Sequence, residues 1–84
     1  MKHTVFVNVM PREEILDPQG KATLSGLHNL EFDAITGVRI GKRIRLEVEA
    51  DSPEAARVIA ETAAQKLLTN PIVESFTLEM ATPA

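Results

Sequence analysis

Side chains able to do chemistry are few in this chain and widely spaced. His3 and His28 are its only histidines, one in a strand-like stretch and one in a helix-like stretch. Neither has a cluster of other ligand types near it in sequence, so ordinary surface or boundary histidines are expected rather than a metal site or a catalytic base. Cysteine is absent, which excludes a thiolate zinc site, a cysteine nucleophile and a disulfide framework. Serine and threonine occur without the strand-to-helix elbow that activates a nucleophile. The twelve acidic residues fall mostly on expected outer faces, so spacing marks no general acid and base pair. Gly20 and Gly26 form neither a phosphate loop nor a dinucleotide fingerprint. The expectation is a chain with no catalytic residue, no metal site and no cofactor of its own.

The charged pattern that does repeat is Arg39, Arg43 and Arg45, with Lys42 among them, in the stretch VRIGKRIRLEVE from Val38 to Glu49. Its even positions Val38, Ile40, Ile44, Leu46 and Val48 are apolar and, Gly41 apart, its odd positions are charged, the period of a half-buried strand. The three arginines are expected to share the outer face of that strand. They could meet acidic residues of a partner, or a phosphate-bearing ligand through fork-shaped contacts. Alternation with Glu47 and Glu49 equally suits a solvated face with cross-strand ion pairs. A platform for single-stranded RNA is disfavoured, because stacking needs aromatic residues on that face and it has none.

These residues must be held by a small number of elements. A first strand is expected over about 3–10, with Val5, Val7 and Val9 facing the helices and Phe6 and Met10 on the other face, a hint of a subunit contact. Asp17 is placed to cap a helix that opens with Pro18 and runs to about Leu30. Leu24, Leu27 and Leu30 would form its core stripe, with Phe32 and Ile35 completing the same core. In the central stretch a two-residue Gly41-Lys42 hairpin would put Ile40 and Ile44 on opposite faces. Two solutions keep them together: one long strand bent at Gly41, or a hairpin with a three-residue loop over 41–43 and a bulge. Ser52 and Pro53 open a second helix whose buried stripe would be Ala56, Ile59, Ala60, Ala63 and Leu67. Asn70-Pro71 ends it, with Asn suited to a left-handed cap. A last strand over about 72–80 places Phe76, Leu78 and Met80 on one face, and residues 81–84 read as a frayed tail.

The expected fold class is therefore α+β: a two-layer sandwich in the order β-α-β(long bent strand or hairpin)-α-β, with a mainly antiparallel sheet, both helices on one face and a ferredoxin-like flavour. With 84 residues there is room for a single domain over 1–84, which buries only roughly 60% of its unfolded surface. An open sheet face on so small a core favours a homo-oligomer. The formal net charge of -3 argues against a nucleic-acid coat. Residues 1–10 lack a signal-like apolar run and no stretch is long enough to span a membrane, so a soluble, unprocessed, cytoplasmic protein is expected.

Three segments stand out together: Leu16-Asp17-Pro18-Gln19-Gly20, Val38-Arg39-Ile40-Gly41-Lys42 and Lys66-Leu67-Leu68-Thr69-Asn70-Pro71, followed by Glu74 and Phe76. In order, spacing and total length the chain resembles the small PurS subunit of bacterial phosphoribosylformylglycinamidine synthase over nearly its whole length. The resemblance implies a non-catalytic assembly subunit in purine synthesis, within a complex that converts formylglycinamide ribonucleotide to its amidine with ATP and glutamine. It implies a glutaminase subunit and a large synthetase subunit as partners, and a homodimer or homotetramer of the chain itself. ATP and Mg would be used by the complex and not bound by this chain. Asp17, Pro18, Gln19, Gly20, Arg39, Gly41, Lys42, Asn70 and Pro71 carry over as interface residues, and no catalytic residue does. One departure is Glu31, where the family usually has Gly, so the first helix is expected to end without a left-handed glycine cap. A different class of function remains on the residues alone: a small-molecule regulatory domain using the Asp17 to Gly20 turn and a dimer interface as an effector pocket.

Overall fold

The computed structural model of the chain describes residues 1–81. Strand β1 (Lys2–Pro11) is followed by helix α1 (Pro18–Asn29), strand β2 (Lys42–Glu49), helix α2 (Pro53–Ala63) and strand β3 (Glu74–Met80), with a π-helical turn, Ala64–Leu68, prolonging α2. The three strands form one antiparallel sheet in the order β2-β1-β3. The α+β class and the antiparallel sheet are as expected from the sequence. No helix among the described residues is long and apolar enough to cross a membrane.

β1 is the central strand, and its valines make the core. Val5, Val7 and Val9 are fully or almost fully buried, and register sets each between an apolar residue of β3 and a residue of β2. Val7 lies between Ile44 and Leu78, and Val5 between Leu46 and Met80. Removing each valine from water stabilises the fold by roughly 1.5–2 kcal/mol. Phe76, Leu78 and Met80 share that face, as their alternation predicts. Above it lies α2, opened by Ser52, whose hydroxyl accepts from the Ala55 amide at 3.1 Å, and by Pro53. Ala56, Ala60 and Ala64 are completely buried, because a methyl side chain lets the helix backbone approach the valines closely.

The sequence-based stripe on α2 is corrected at two places. Ile59 is 50% exposed and Leu67 83%. Leu67 would face the sheet in a regular α-helix, but the π-helical turn adds one residue to the last coil. The Thr69 amide and hydroxyl then both return to the Ala64 carbonyl, at 3.0 and 2.9 Å, and Leu68 takes the place against the core. Asn70 is not a left-handed cap, since the helix ends at Thr69 in extended backbone. Its side chain instead accepts from the Ile72 amide at 3.2 Å and shapes the turn into β3.

The larger departure concerns α1. Only α2 packs substantially on the sheet among the described elements. Leu24, Leu27 and Ile35 are half-buried, while Leu30 is 69% and Phe32 52% exposed. They do not join the valine core as expected. Residues 16–41 form an arm instead, and the molecule measures 50 × 32 × 13 Å with a radius of gyration of 16.2 Å, against about 12 Å for a compact chain of this length. The second layer of the sandwich is thus α2 alone. Gly41 is where the arm rejoins the sheet, and neither expected solution for the central stretch is adopted: residues 38–41 carry no strand pairing and β2 begins at Lys42. Parity is nevertheless kept, with Ile44, Leu46 and Val48 inward and Arg43, Arg45, Glu47 and Glu49 outward.

Glu31 gives a further correction. α1 closes with the Glu31 amide donating to the His28 carbonyl and the Phe32 amide to the Leu27 carbonyl, both at 3.0 Å. This is the left-handed glycine-type ending, built with Glu31 at φ 71°. The tail expected to fray lies, from residue 82 onward, outside the described residues.

Candidate functional site

The three segments singled out in the sequence come together at one corner of the sheet, where β1 ends and β3 begins. Asp17 starts the assembly. Its Oδ1 accepts from the Gly20 amide at 3.0 Å, the expected cap, and its Oδ2 accepts from the Ile40 amide at 2.7 Å. These two amides, Ile40 first, hold the Asp17 carboxyl below its ordinary pKa. One carboxylate therefore ties the first segment to the second. Gly20 is buried, and a Cβ there would fall well inside van der Waals contact with the Val38 carbonyl oxygen and the Asp17 carboxylate. Only glycine admits so close a pass. Gly41 is limited in the same way by the Val9 carbonyl and the Met10 sulfur.

Arg39 leaves the stripe it was expected to share. It precedes β2, and its guanidinium donates to the Arg12 carbonyl. Arg12 in turn donates from Nε and Nη2 to the Pro71 carbonyl, at 3.0 and 2.8 Å, while its backbone amide donates to the Val73 carbonyl at 2.9 Å. The second segment is thereby joined to the third through a residue of neither. A parallel link runs through Glu74. Its Oε1 accepts from the Asn70 amide at 2.8 Å, and its Oε2 lies 4.0 Å from Lys42 Nζ.

Positions within the corner divide into two kinds. Gly20 is buried and Asp17 and Arg39 are half-buried with internal partners, so they set the shape of the surface. Pro18, Gln19, Gly41, Lys42, Asn70 and Pro71 are exposed and form it. Sequence reasoning missed Arg12, which follows Pro11 in a charged connector without any repeat or spacing to mark it. Only a fold that brings residue 71 beside residue 12 reveals the link.

The remaining arginines of the expected stripe lie on the open face of the sheet and have partners there. Arg43 pairs with Glu79, donates to Asn8 Oδ1 at 3.1 Å and lies 3.9 Å over the Phe6 ring. That pairing raises the Arg43 pKa and lowers that of Glu79. Arg45 pairs with Glu47 at 3.4 Å. Phe6 is thus half-covered by a guanidinium of its own sheet. Among the described residues no group of three or more His, Asp or Glu is placed to hold a metal ion.

Comparison with known proteins identifies the architecture. The family described as PurS, phosphoribosylformylglycinamidine (FGAM) synthase, matches residues 4–82. Phosphoribosylformylglycinamidine synthase subunit PurS of Synechocystis is 38% identical over 76 residues, covering 90% of this chain and 74% of the relative. The solved purS subunit of Thermotoga maritima superposes with a TM-score of 0.90 at 31% identity, over 96% of this chain and 93% of that one. A chain of the solved PurLQS assembly of T. maritima superposes with a TM-score of 0.89 at 31% identity, over 96% and 99%. With a match that spans all five elements and the three converging segments, the chain belongs to the PurS family of phosphoribosylformylglycinamidine synthase.

Proposed function

We propose that this chain is a non-catalytic assembly subunit of a phosphoribosylformylglycinamidine synthase complex, joining a glutaminase subunit to a large ATP-dependent synthetase subunit in purine synthesis. The observation that carries this reading is the nearly end-to-end likeness to a chain of the PurLQS assembly. The corner formed by Asp17 to Gly20, Arg39 to Lys42 and Asn70-Pro71 is the contact surface in this reading, with the exposed members touching the partner and the half-buried ones holding them in place. ATP and Mg are used elsewhere in the complex, and the cytoplasm is its compartment. Self-association as a homodimer or homotetramer belongs to the same reading, supported by the exposed Leu30 and Phe32 on the arm.

The test is reconstitution. Purified synthetase and glutaminase subunits are assayed for glutamine-dependent amidine formation with and without this chain. The expected result is turnover that requires the chain, while turnover supported by added ammonia needs it far less. Equal glutamine-dependent rates in its presence and absence would refute the reading. The regulatory alternative loses its anchor, since both oxygens of Asp17 are already bonded to backbone amides of the chain.

A further inference from the structure

Beside the corner lies an open pocket of about 230 Å³, walled by Arg12, Gln65 of the π-helical turn, Pro71, and Glu74, Ser75 and Phe76 at the start of β3. The Arg12 guanidinium is fixed in this wall, because Nε and Nη2 are both held by the Pro71 carbonyl. Its Nη1 has no hydrogen-bond partner among the described residues. A guanidinium already immobilised loses little further freedom when its remaining edge binds an anion. Glu74 places a carboxylate in the same wall, and Lys42 is the cation that offsets it. The Glu74 carboxylate is occupied by the Asn70 amide and lies near Lys42.

The rest of the wall suits the same guest. Gln65 and Ser75 are exposed and their side chains make no hydrogen bond among the described residues, so an amide and a hydroxyl remain able to donate. Phe76 is half-buried and offers an apolar side for a short methylene stem. The pocket is open and exposed Pro71 is part of its wall, so a side chain can enter it while its backbone runs along the turn.

We propose that this pocket is a socket for an acidic side chain, aspartate or glutamate, of a partner polypeptide in the synthase assembly. The proposal rests on the assembly reading above and deepens it by naming the chemistry of the contact. Arg12 then has two roles: it holds the third segment in place, and it presents the cation that the partner's carboxylate meets.

Charge changes at Gln65 and Ser75 test this without touching the bonds that hold the corner. Gln65→Glu and Ser75→Asp each add a carboxylate to the pocket, and Gln65→Lys adds a cation. Binding of each full-length variant to the purified synthetase and glutaminase subunits is measured at fixed low salt, alongside circular dichroism and melting temperature. The expected result is unchanged folding, affinity weakened about tenfold or more by each acidic variant, and equal or tighter binding by Gln65→Lys. Wild-type affinity in both acidic variants, or weakening by Gln65→Lys as large as that by Gln65→Glu, overturns the socket alone. Absence of any wild-type binding overturns the assembly reading and the socket with it. Saturable shifts of the Gln65 and Ser75 amides when succinate is added to the isolated chain, together with wild-type partner affinity in both acidic variants, would assign the pocket to a free small acid and overturn the polypeptide occupant.

Discussion

Along α2 and the π-helical turn that prolongs it, Ala56, Ala60 and Ala64 are fully buried, whereas along α1 Leu24 and Leu27 are half-buried and Leu30, just past its end, is 69% exposed. The smaller side chains lie in the core and the larger ones outside it. The two regions differ in what lies beneath them. α2 crosses the valine face of a sheet only three strands wide and occupies it. α1 has no sheet left to cover and is held by its termini: the Asp17 bonds at one end, and at the other the Glu31 turn with His28 Nε2 within 2.8 Å of the Ile35 carbonyl. Apolar periodicity thus states that a helix has something to cover, but not that its own chain supplies the cover. The arm and the body should respond differently to substitution.

The largest effect is expected at Ala60→Leu, which forces three extra carbons between α2 and the valines. Overpacking of this kind costs about 3 kcal/mol, and urea unfolding should show the loss in the midpoint. A loss below about 1 kcal/mol would mean that α2 can lift from the sheet, erasing the contrast with the arm. Gly20→Ala comes next. The added methyl must displace the Val38 carbonyl or the Asp17 carboxylate, a strain of about 2 kcal/mol. Hydrogen exchange should quicken over 17–40 and stay slow in β1. Equal quickening in both places would show that arm and body unfold as one unit.

Acid should separate the regions more gently. The folded Asp17 pKa lies below its unfolded value, so its contribution is complete above the unfolded value and is lost as pH falls through the folded one. An NMR titration from neutral pH into the acid range should show the Ile40 amide losing protection before the Val7 amide, and Asp17→Asn should remove that order. The smallest effect has the opposite sign. Glu31 holds φ 71° at the helix end, a conformation glycine adopts without penalty, so Glu31→Gly should stabilise the end of α1 by about 0.5 kcal/mol. Slower exchange of the Phe32 amide would report the gain. Faster exchange would show that the carboxylate contributes more than the backbone strain removes.

Much of the body was legible because its determinants are local. Alternating valines define β1, and Ser52-Pro53 and Asp17-Pro18 mark both helix starts, whereas the start of β2 at Lys42 was not legible, since the pattern from Val38 reads equally as one strand bent at Gly41 or a hairpin looped over 41–43. The π-helical turn was not legible, since the sequence from Ala64 to Leu68 continues a helical pattern and only the docking of Leu68 against Val7 and Val9 selects the extra residue. The candidate corner was half legible: its three segments could be picked out, but not that they touch.

Residue order alone was enough for the inward faces of β1 and β3, the helix starts, the absence of cysteine chemistry and the resemblance to an assembly subunit. Each of these depends on residue types within a few positions of one another, where periodicity, capping and turn stereochemistry act. It took the packed fold to show that α1 stands apart from the sheet, that Arg39 leaves the charged stripe for the Arg12 carbonyl, and that Arg12 joins residue 39 to residue 71. Such contacts are fixed by which surfaces remain uncovered once the sheet and α2 have packed.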